Sequence, residues 1–364
     1  MNREQARARV RQGWPCVRRA RSAAVAIAVG AAVSAVLGAS SAAAQASEVC
    51  FDVALRGGTT QICADVHENA RAGRRGTTVL AIHGLTETAA AWGPLADAIF
   101  ADRVLGRRVR RLVAIDLPGH GDSAIPRDLP GGVLFGDLTI DDNVSVVIQS
   151  IQALRERGLG AQAILGHSMG GLEIQGAQGA LLAQGSSLAK LGISRALLLA
   201  PVPAGGQRFT QPPPADLSPF LVADPALGMF LLFSPEAARF GGGFTRPDGT
   251  LAAGTPSAEV IAAFNGPEPI TTLLQLTDQI PALPRPTVPE GGFALRNGTL
   301  LSVISFSQDV LVQADDLDDL YEYLIGGRGL LYRLVDTPEA VHSMFIAHPV
   351  GLLRALGPLR LILQ

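Results

Sequence analysis

Apolar runs of strand length alternate with helix-like segments through most of the chain. Six such runs occur, at residues 78–82, 112–115, 161–165, 196–200, 299–306 and 330–335. Continuous apolar runs are typical of parallel strands covered on both faces. Between them, apolar positions recur at helical spacing, and Asp141 or Asp142 is expected to cap the second of the helices at 89–100, 141–157 and 170–184. The pattern predicts an α/β fold with a mostly parallel, doubly wound sheet.

The alternation stops after the fourth run and resumes only at the fifth, across a proline-rich stretch. Within this stretch, residues 226–233 and 259–264 are apolar and helix-like. A connection of this length either is functional or holds a subdomain of its own. We therefore expect a core in two parts, residues 47–204 and 299–364, with a largely helical cap inserted at 205–298.

The first 46 residues have the organisation of a secretory signal peptide. Residues 1–21 carry seven Arg and one Glu, an uncharged apolar stretch follows, and small residues lead to Ala44 and Ala46. The alternative is an uncleaved membrane anchor, because the uncharged stretch is long enough to span a bilayer. Its weakly apolar Ala and Gly favour cleavage near Ala44 or Ala46. We expect export to the periplasm or the cell exterior, with no stable membrane anchor after cleavage.

Composition and charge argue against two classes of protein. The chain has 364 residues, of which 48% are hydrophobic and 17% charged, with a formal net charge of −2. The apolar fraction excludes an intrinsically disordered chain. The small net charge is not that of a nucleic-acid-binding protein, so no nucleic-acid partner is expected. Because the N-terminal 21 residues are basic, the remainder of the chain is acidic.

Two cysteines of the exported part flank a predicted turn. Cys50 and Cys63 lie in strand-like runs on either side of residues 56–59, which include a Gly-Gly pair. Their positions are symmetric about that turn, so the two sulfur atoms can face each other across a hairpin. An oxidising compartment favours a disulfide between them, and two free buried thiols are the alternative. The chain has no CxxC or HxxxH spacing, so no metal site is expected.

Ser168 lies in a glycine-rich motif between a strand and a helix. Residues 166–170 read GHSMG, after the apolar run at 161–165 and before the helix-like segment at 170–184. A G-x-S-x-G sequence in this context is typical of a nucleophile elbow, which raises the serine hydroxyl above the sheet edge. The helix N-terminus stabilises negative charge that develops there. Ser168 is therefore the candidate nucleophile.

Two further motifs complete a resemblance to a known family. They are the His-Gly-Leu sequence at 83–85 and the DLPGHGDS sequence at 116–123, each at the end of a predicted strand. With the elbow, they resemble the α/β-hydrolase superfamily from Val49 to the C-terminus. The resemblance implies a backbone oxyanion hole formed by the N–H groups of Leu85 and Met169. It also implies the chain order Ser, then an acid, then His.

The resemblance directs the acid and base to loops after the last two strands. Asp309 follows the run at 299–306, and an acidic cluster that opens a helix offers rivals at Asp315, Asp316, Asp318 and Asp319. We expect that cluster to be a solvated helix N-terminus. His342 lies in the loop after the last run, whereas His348 precedes Pro349 at a helix start. Ser168, Asp309 and His342 are the predicted triad, with His348 as the alternative base.

The remaining histidines near these motifs are expected to have structural roles. His167 neighbours Ser168 in the elbow and should point away from it, as a packing or pocket-lining residue. His83 and His120 precede Ser168 in the chain and break the expected order, so they are candidates to line the pocket mouth.

These features predict an exported serine hydrolase, esterase- or lipase-like, that cleaves small-molecule carboxylic esters through an acyl-enzyme. No metal or organic cofactor is implied. The expected cap is rich in Phe, which favours an apolar acyl or aromatic group in the substrate. The alternatives are another acyl-transfer enzyme on the same triad (an exopeptidase such as a prolyl-type aminopeptidase, a lactonase, an acyltransferase or a perhydrolase) or a non-catalytic binding protein. An aminopeptidase would need clustered cap carboxylates, and the candidates are Asp216, Asp224, Glu236, Asp248, Glu259, Glu268, Asp278 and Glu290.

Overall fold

The computed structural model describes residues 45–210, 216–241, 243–327, 329, 331–357 and 363. The predicted signal peptide lies outside the described residues, apart from its last two positions. The described helices include none that is both long enough and apolar enough to cross a membrane.

An eight-stranded sheet forms the centre of the molecule. Its strand order is β1-β2-β4-β3-β5-β6-β10-β11. The pairs β1–β2 and β2–β4 are antiparallel, and all other neighbours are parallel. The eight strands are β1 Gln45–Leu55, β2 Gly58–Glu68, β3 Thr77–Ile82, β4 Val109–Ile115, β5 Ala163–His167, β6 Arg195–Leu199, β10 Leu300–Phe306 and β11 Tyr332–Val335. The predicted doubly wound, mostly parallel sheet is confirmed.

Helices pack on the sheet and bury its apolar strands. β3 and β5 are almost wholly buried, as their continuous apolar sequences predict. The N-cap of the helix Ile140–Glu156 is Thr139 rather than Asp141 or Asp142: its hydroxyl accepts the Asp142 N–H, and the Asp142 carboxylate accepts the Thr139 N–H. The helices outside the segment between β6 and β10 are α1 Gly93–Ala101, α2 Ile140–Glu156, α3 Met169–Ala183, α7 Ala314–Ile325, α8 Met344–Ala347 and α9 Pro349–Leu356.

The segment between β6 and β10 holds a small antiparallel sheet as well as short helices. Its strands are β7 Leu221–Asp224, β8 Gly228–Leu231 and β9 Glu268–Pro269. Its helices are α4 Pro235–Gly241, α5 Ala258–Ile261 and α6 Ile270–Leu276.

The helix predicted at 226–233 is wrong, because these residues form a turn and the strand β8. The Asp224 carboxylate accepts the N–H groups of Ala226 and Leu227, which fixes a turn. Gly228 follows with a positive φ of 79°, a conformation that ends the turn and that other residues rarely adopt. The turn therefore directs the apolar residues after it into a hairpin with β7.

A disulfide joins the two N-terminal strands. Cys50 and Cys63 are directly opposite each other in the β1–β2 register, and their sulfur atoms are bonded at 2.07 Å. The turn between the strands includes Arg56 and Gly57, both with positive φ. The pairing predicted from the symmetry of the two cysteines is confirmed.

Candidate active site

Ser168 occupies a strained turn between β5 and α3. Its φ of 51° and ψ of −118° lie outside the regions that a serine normally adopts. Such strain persists only where the surroundings enforce it, and it is concentrated at functional sites. Here the Ser168 N–H donates to Leu199 on β6, and its carbonyl accepts from Gly171 and Val202. The elbow is thus held by hydrogen bonds from both sides.

The two glycines of the motif are required by close backbone contacts. A Cβ atom on Gly170 would lie 2.4 Å from the Ile82 carbonyl oxygen and 2.5 Å from that of His83. A Cβ atom on Gly166 would lie 2.8 Å from the Gly170 oxygen. The start of α3 therefore packs directly on the end of β3, which joins the elbow to the loop at 83–88.

The structure brings Asp309 and His342 into contact. The Nδ1 atom of His342 lies 2.7 Å from Oδ2 of Asp309, and both side chains are almost fully buried. The other Asp309 oxygen accepts the N–H groups of Leu311 and Val312, at 2.7 and 2.9 Å. Because these bonds fix the carboxylate, it presents one oxygen to the imidazole. The contact holds the ring with Nδ1 protonated, which leaves Nε2 as the basic nitrogen.

The pKa of His342 reflects a balance of opposed effects. Burial alone would lower this pKa, but the charge and hydrogen bond of Asp309 outweigh burial, and Glu87 adds a smaller effect in the same direction. The pKa therefore lies above its ordinary value of 6.5. A stronger base results, which is protonated more readily below neutral pH.

The loop after β3 presents one free amide between two bonded ones. The Gly84 N–H donates to Glu87 at 2.8 Å, and the Thr86 N–H donates to Glu268 at 3.0 Å. Among the residues that the structure describes, the Leu85 N–H has no hydrogen-bond partner. Met169 is the first residue of α3, where N–H groups lack partners within the helix. Both predicted oxyanion donors are thus available.

His167 makes two polar contacts that the sequence did not indicate. Its Nδ1 lies 3.0 Å from Oε2 of Glu87, and its Nε2 lies 3.0 Å from the carbonyl oxygen of His342. The ring is 1% exposed. His167 thus bonds to its neighbours rather than merely packing, and Glu87 is a further residue of the site that the sequence analysis missed.

His83 and His120 are both buried, so their rings do not line an opening. Each ring instead forms hydrogen bonds that hold neighbouring loops in place. His83 accepts the Leu117 N–H at Nε2 and donates to the Gly84 carbonyl from Nδ1. Burial lowers its pKa to about 3, so it is neutral. His120 lies 3.2 Å from both Glu268 and the Pro118 carbonyl. Burial alone would lower the His120 pKa, but its hydrogen bond to Glu268 reverses this and raises it.

Residues 263–268, here called the latch, bond to the loop after β3. The Gly266 N–H donates to the Thr86 carbonyl at 2.7 Å, and the Thr88 hydroxyl donates to Ala263. Asn265 forms an isolated antiparallel bridge with Glu87. The buried Glu268 carboxylate accepts the Thr86 N–H and contacts His120. The latch therefore fixes the loop that carries Leu85.

The rival acid and base residues have other partners. Asp316 is 1% exposed, and it accepts the Thr210 hydroxyl at 3.0 Å and contacts Arg208 at 3.1 Å. The expectation of a wholly solvated cluster is therefore wrong for Asp316, because that residue ties the 208–210 segment to α7. His348 directs Nε2 at the Ala253 carbonyl rather than at a carboxylate.

The cap side chains divide between packing and solvent. Phe230 packs edge-on against Phe135, and Phe244 is buried in the core, whereas Phe240 is 55% exposed. The cap carboxylates do not cluster. Glu268 is buried with His120, Asp224 is half-buried, and the exposed ones are Asp216, Glu236, Asp248, Glu259, Asp278 and Glu290.

A cavity of about 870 Å³ opens beside the C-terminal half of α3. Its wall includes Gly176, Gly205 and Pro286, and none of Ser168, Asp309 and His342. This cavity is therefore separate from the candidate active site.

Comparisons with known proteins agree with this architecture. A membrane phospholipase A, described as a bacterial virulence factor, has 15% identity and a TM-score of 0.51, over 92% of this chain and 93% of that one. An enol-lactonase from Burkholderia xenovorans has 17% identity and a TM-score of 0.51, over 85% of this chain and all of that one. A probable hydrolytic enzyme from Pseudomonas aeruginosa has 16% identity and a TM-score of 0.52, over 86% of this chain and 94% of that one.

At these identities the solved structures show a shared fold alone. No curated protein matches the chain by sequence. The model of the alpha/beta hydrolase family, however, matches residues 79–355, which is most of the chain. The chain therefore belongs to the alpha/beta hydrolase family.

Proposed function

We propose that this hydrolase is an exported serine esterase, with Ser168 as nucleophile, His342 as base and Asp309 as the acid that orients it. The observation that carries the proposal is the buried 2.7 Å contact between Asp309 and His342. His342 in turn contacts, through its carbonyl, the residue directly before the strained Ser168. Direct contacts thus connect Asp309 to His342, and His342 to the turn that carries Ser168.

The proposed reaction proceeds in two halves. His342 removes the proton from the Ser168 hydroxyl as its oxygen attacks the ester carbonyl carbon. The N–H groups of Leu85 and Met169 donate to the oxyanion of the tetrahedral intermediate. His342 then gives its proton to the alcohol oxygen, which leaves. Water, activated by His342, attacks the acyl-enzyme and releases the carboxylic acid and free Ser168.

The substrate we propose is a small ester with an apolar acyl or aromatic group. The near-total burial of the site favours apolar substrates, since a buried charge without a partner is costly. The aminopeptidase alternative has less support. Six of its eight candidate carboxylates are exposed, and the buried Glu268 is bonded through Oε2 to His120 and to the Thr86 N–H instead of clustering with the other carboxylates.

Export is supported by the Cys50–Cys63 disulfide, because such bonds persist in oxidising compartments. Strand β1 begins at Gln45, so cleavage after Ala44 would leave that strand whole. N-terminal sequencing of protein recovered from the periplasm or medium tests this. A mature chain that starts at residue 45 or 47 is the expected result, and an intact N-terminus would contradict it.

The activity is tested with a series of p-nitrophenyl esters and a matched series of amino-acid anilides. Ester turnover that Ser168→Ala abolishes is the expected result, together with Ser168-dependent labelling by a fluorophosphonate. Preference for anilides would indicate an exopeptidase instead. Absence of both turnover and labelling would refute the serine-hydrolase mechanism.

A further inference from the structure

Glu87 and His167 form a pair beside the proposed base, in which the His167 ring is buried and the Glu87 side chain is 14% exposed. Oε2 of Glu87 lies 3.0 Å from Nδ1 of His167 and accepts the Gly84 N–H at 2.8 Å. On its other side, His167 contacts the His342 carbonyl oxygen at 3.0 Å. We infer that Glu87 and His167 are positioning residues, which fix the main chain of His342 relative to the loop at residues 83–88, here called the oxyanion loop. The inference rests on the function proposed above.

The hydrogen-bond partners define the protonation of this pair. A carbonyl oxygen only accepts hydrogen bonds, so Nε2 of His167 carries a proton. Nδ1 faces a carboxylate and also donates, so the ring is an imidazolium. Burial alone would raise the pKa of Glu87, but His167 outweighs it and holds that pKa below its ordinary value. The two side chains therefore form an ion pair with charge-assisted hydrogen bonds.

Each member of the pair has little freedom to move. The His167 ring packs against the rings of His342 and Phe345, with centroids 4.5 and 4.6 Å away. A Cβ atom on Gly84 would lie 3.0 Å from Nδ1 of His167 and 3.1 Å from Glu87. The pair is thus enclosed by the oxyanion loop on one face and by the His342 loop on the other.

This arrangement gives His342 two independent anchors. Asp309 holds the imidazole ring, from the loop after β10, and His167 holds the carbonyl, from the end of β5. The same Glu87 oxygen that bonds His167 also bonds the Gly84 N–H, one residue before Leu85. A change in the pair therefore displaces the base and the oxyanion donor together.

The pair also sets the charge around the His342 ring. The charged groups facing that ring are Asp309, Glu87 and the His167 imidazolium, and His83 nearby is neutral. Removing the negative Glu87 takes away a charge that raises the pKa of His342, so that pKa should fall. A residue that only fills space would leave this pKa unchanged.

The test uses Glu87→Gln and His167→Gln in the full chain. Glu173→Gln is the matched control: Glu173 is buried on α3, and burial raises its pKa well above the ordinary value, so the control changes no charge. The pKa of His342 is measured by NMR with 15N-labelled histidine in a Ser168→Ala background, and the resonance is assigned from its loss in His342→Gln. Kinetics are measured with Ser168 present.

We expect the pKa of His342 to fall in Glu87→Gln and to stay constant in Glu173→Gln. For p-nitrophenyl esters, kcat should fall about 10- to 100-fold in both pair variants, with KM within about twofold. An unchanged His342 pKa in folded Glu87→Gln, or an unchanged kcat in either folded pair variant, would overturn the inference. Because the NMR titration needs no turnover, it decides the inference even if the proposed esterase activity fails.

Discussion

The contact between the start of α3 and the end of β3 makes Gly170→Ala a sensitive test of the candidate active site. The new methyl group would lie 2.4 and 2.5 Å from two backbone oxygens, those of Ile82 and His83. Real contacts of this kind are no shorter than 3.0 Å, so α3 and β3 must separate by more than half an ångström. Backbone cannot rotate away as a flexible side chain can.

Two effects set the magnitude. Overpacking of this kind costs about 1–3 kcal/mol, which the better helix propensity of Ala offsets by less than about 1 kcal/mol. The larger effect is on catalysis, because the displaced His83 carbonyl is two residues from Leu85 and Gly170 adjoins Met169. Separating the two proposed oxyanion donors should lower kcat about 100-fold, since loss of one donor costs about 100- to 1000-fold.

The assay compares kcat and KM for a p-nitrophenyl ester with thermal unfolding of the same samples. Gly351→Ala in α9 is the control, because its Cβ atom would lie 3.5 Å or more from its neighbours. That variant should keep full activity and unfold no earlier than the parent. If Gly170→Ala keeps the parent's kcat and stability, the packing argument is wrong. If only kcat is retained, the link from this contact to the oxyanion donors is wrong.

Three further predictions concern the base and the disulfide. The proposed base must be neutral and the pKa of His342 is raised above 6.5, so kcat/KM should rise with pH through that pKa. Asp309→Asn should move this rise in kcat/KM to lower pH and reduce kcat, and a rise that stays at the same pH would exclude Asp309 as the partner of His342. His348→Ala should retain most activity and His342→Ala should lose it, so the opposite result in an ester assay would reverse the assignment of the base. Replacing Cys50 and Cys63 by Ser should lower the free energy of unfolding by about 3 kcal/mol, or the melting temperature by about 5 °C, and a reductant should do the same to the parent but not to the variant.

The features predicted from sequence are those whose signals are contiguous. The glycines and the serine of the elbow lie within five residues, directly after a predicted strand, so the motif can be recognised from the sequence alone. The disulfide follows from the symmetry of Cys50 and Cys63 about one turn. Asp309 and His342 follow from chain order and strand ends. The structure brings these two together, and their catalytic roles stay predictions.

The features that sequence analysis missed depend on contacts between distant segments. Glu87 and His167 are 80 residues apart, and His120 and Glu268 are 148 apart. A lone Glu or His in a loop has no local pattern that identifies such a partner, because only the fold brings the two together. The hairpin of β7 and β8 was missed for another reason: one Asp and one Gly redirect an apolar sequence that otherwise resembles a helix.

The latch has a consequence for how this enzyme could be redesigned. Caps of hydrolases are attractive parts to exchange, since a new cap offers a new substrate pocket on a retained catalytic core. Here residues 263–268 belong to the inserted segment by chain position but support the loop of Leu85 by their hydrogen bonds. A transplanted cap that lacked them would remove that support along with the old specificity. A functional chimera should therefore retain residues 263–268, with its junctions on either side of this segment. Glu268 then stays with the core that carries His120.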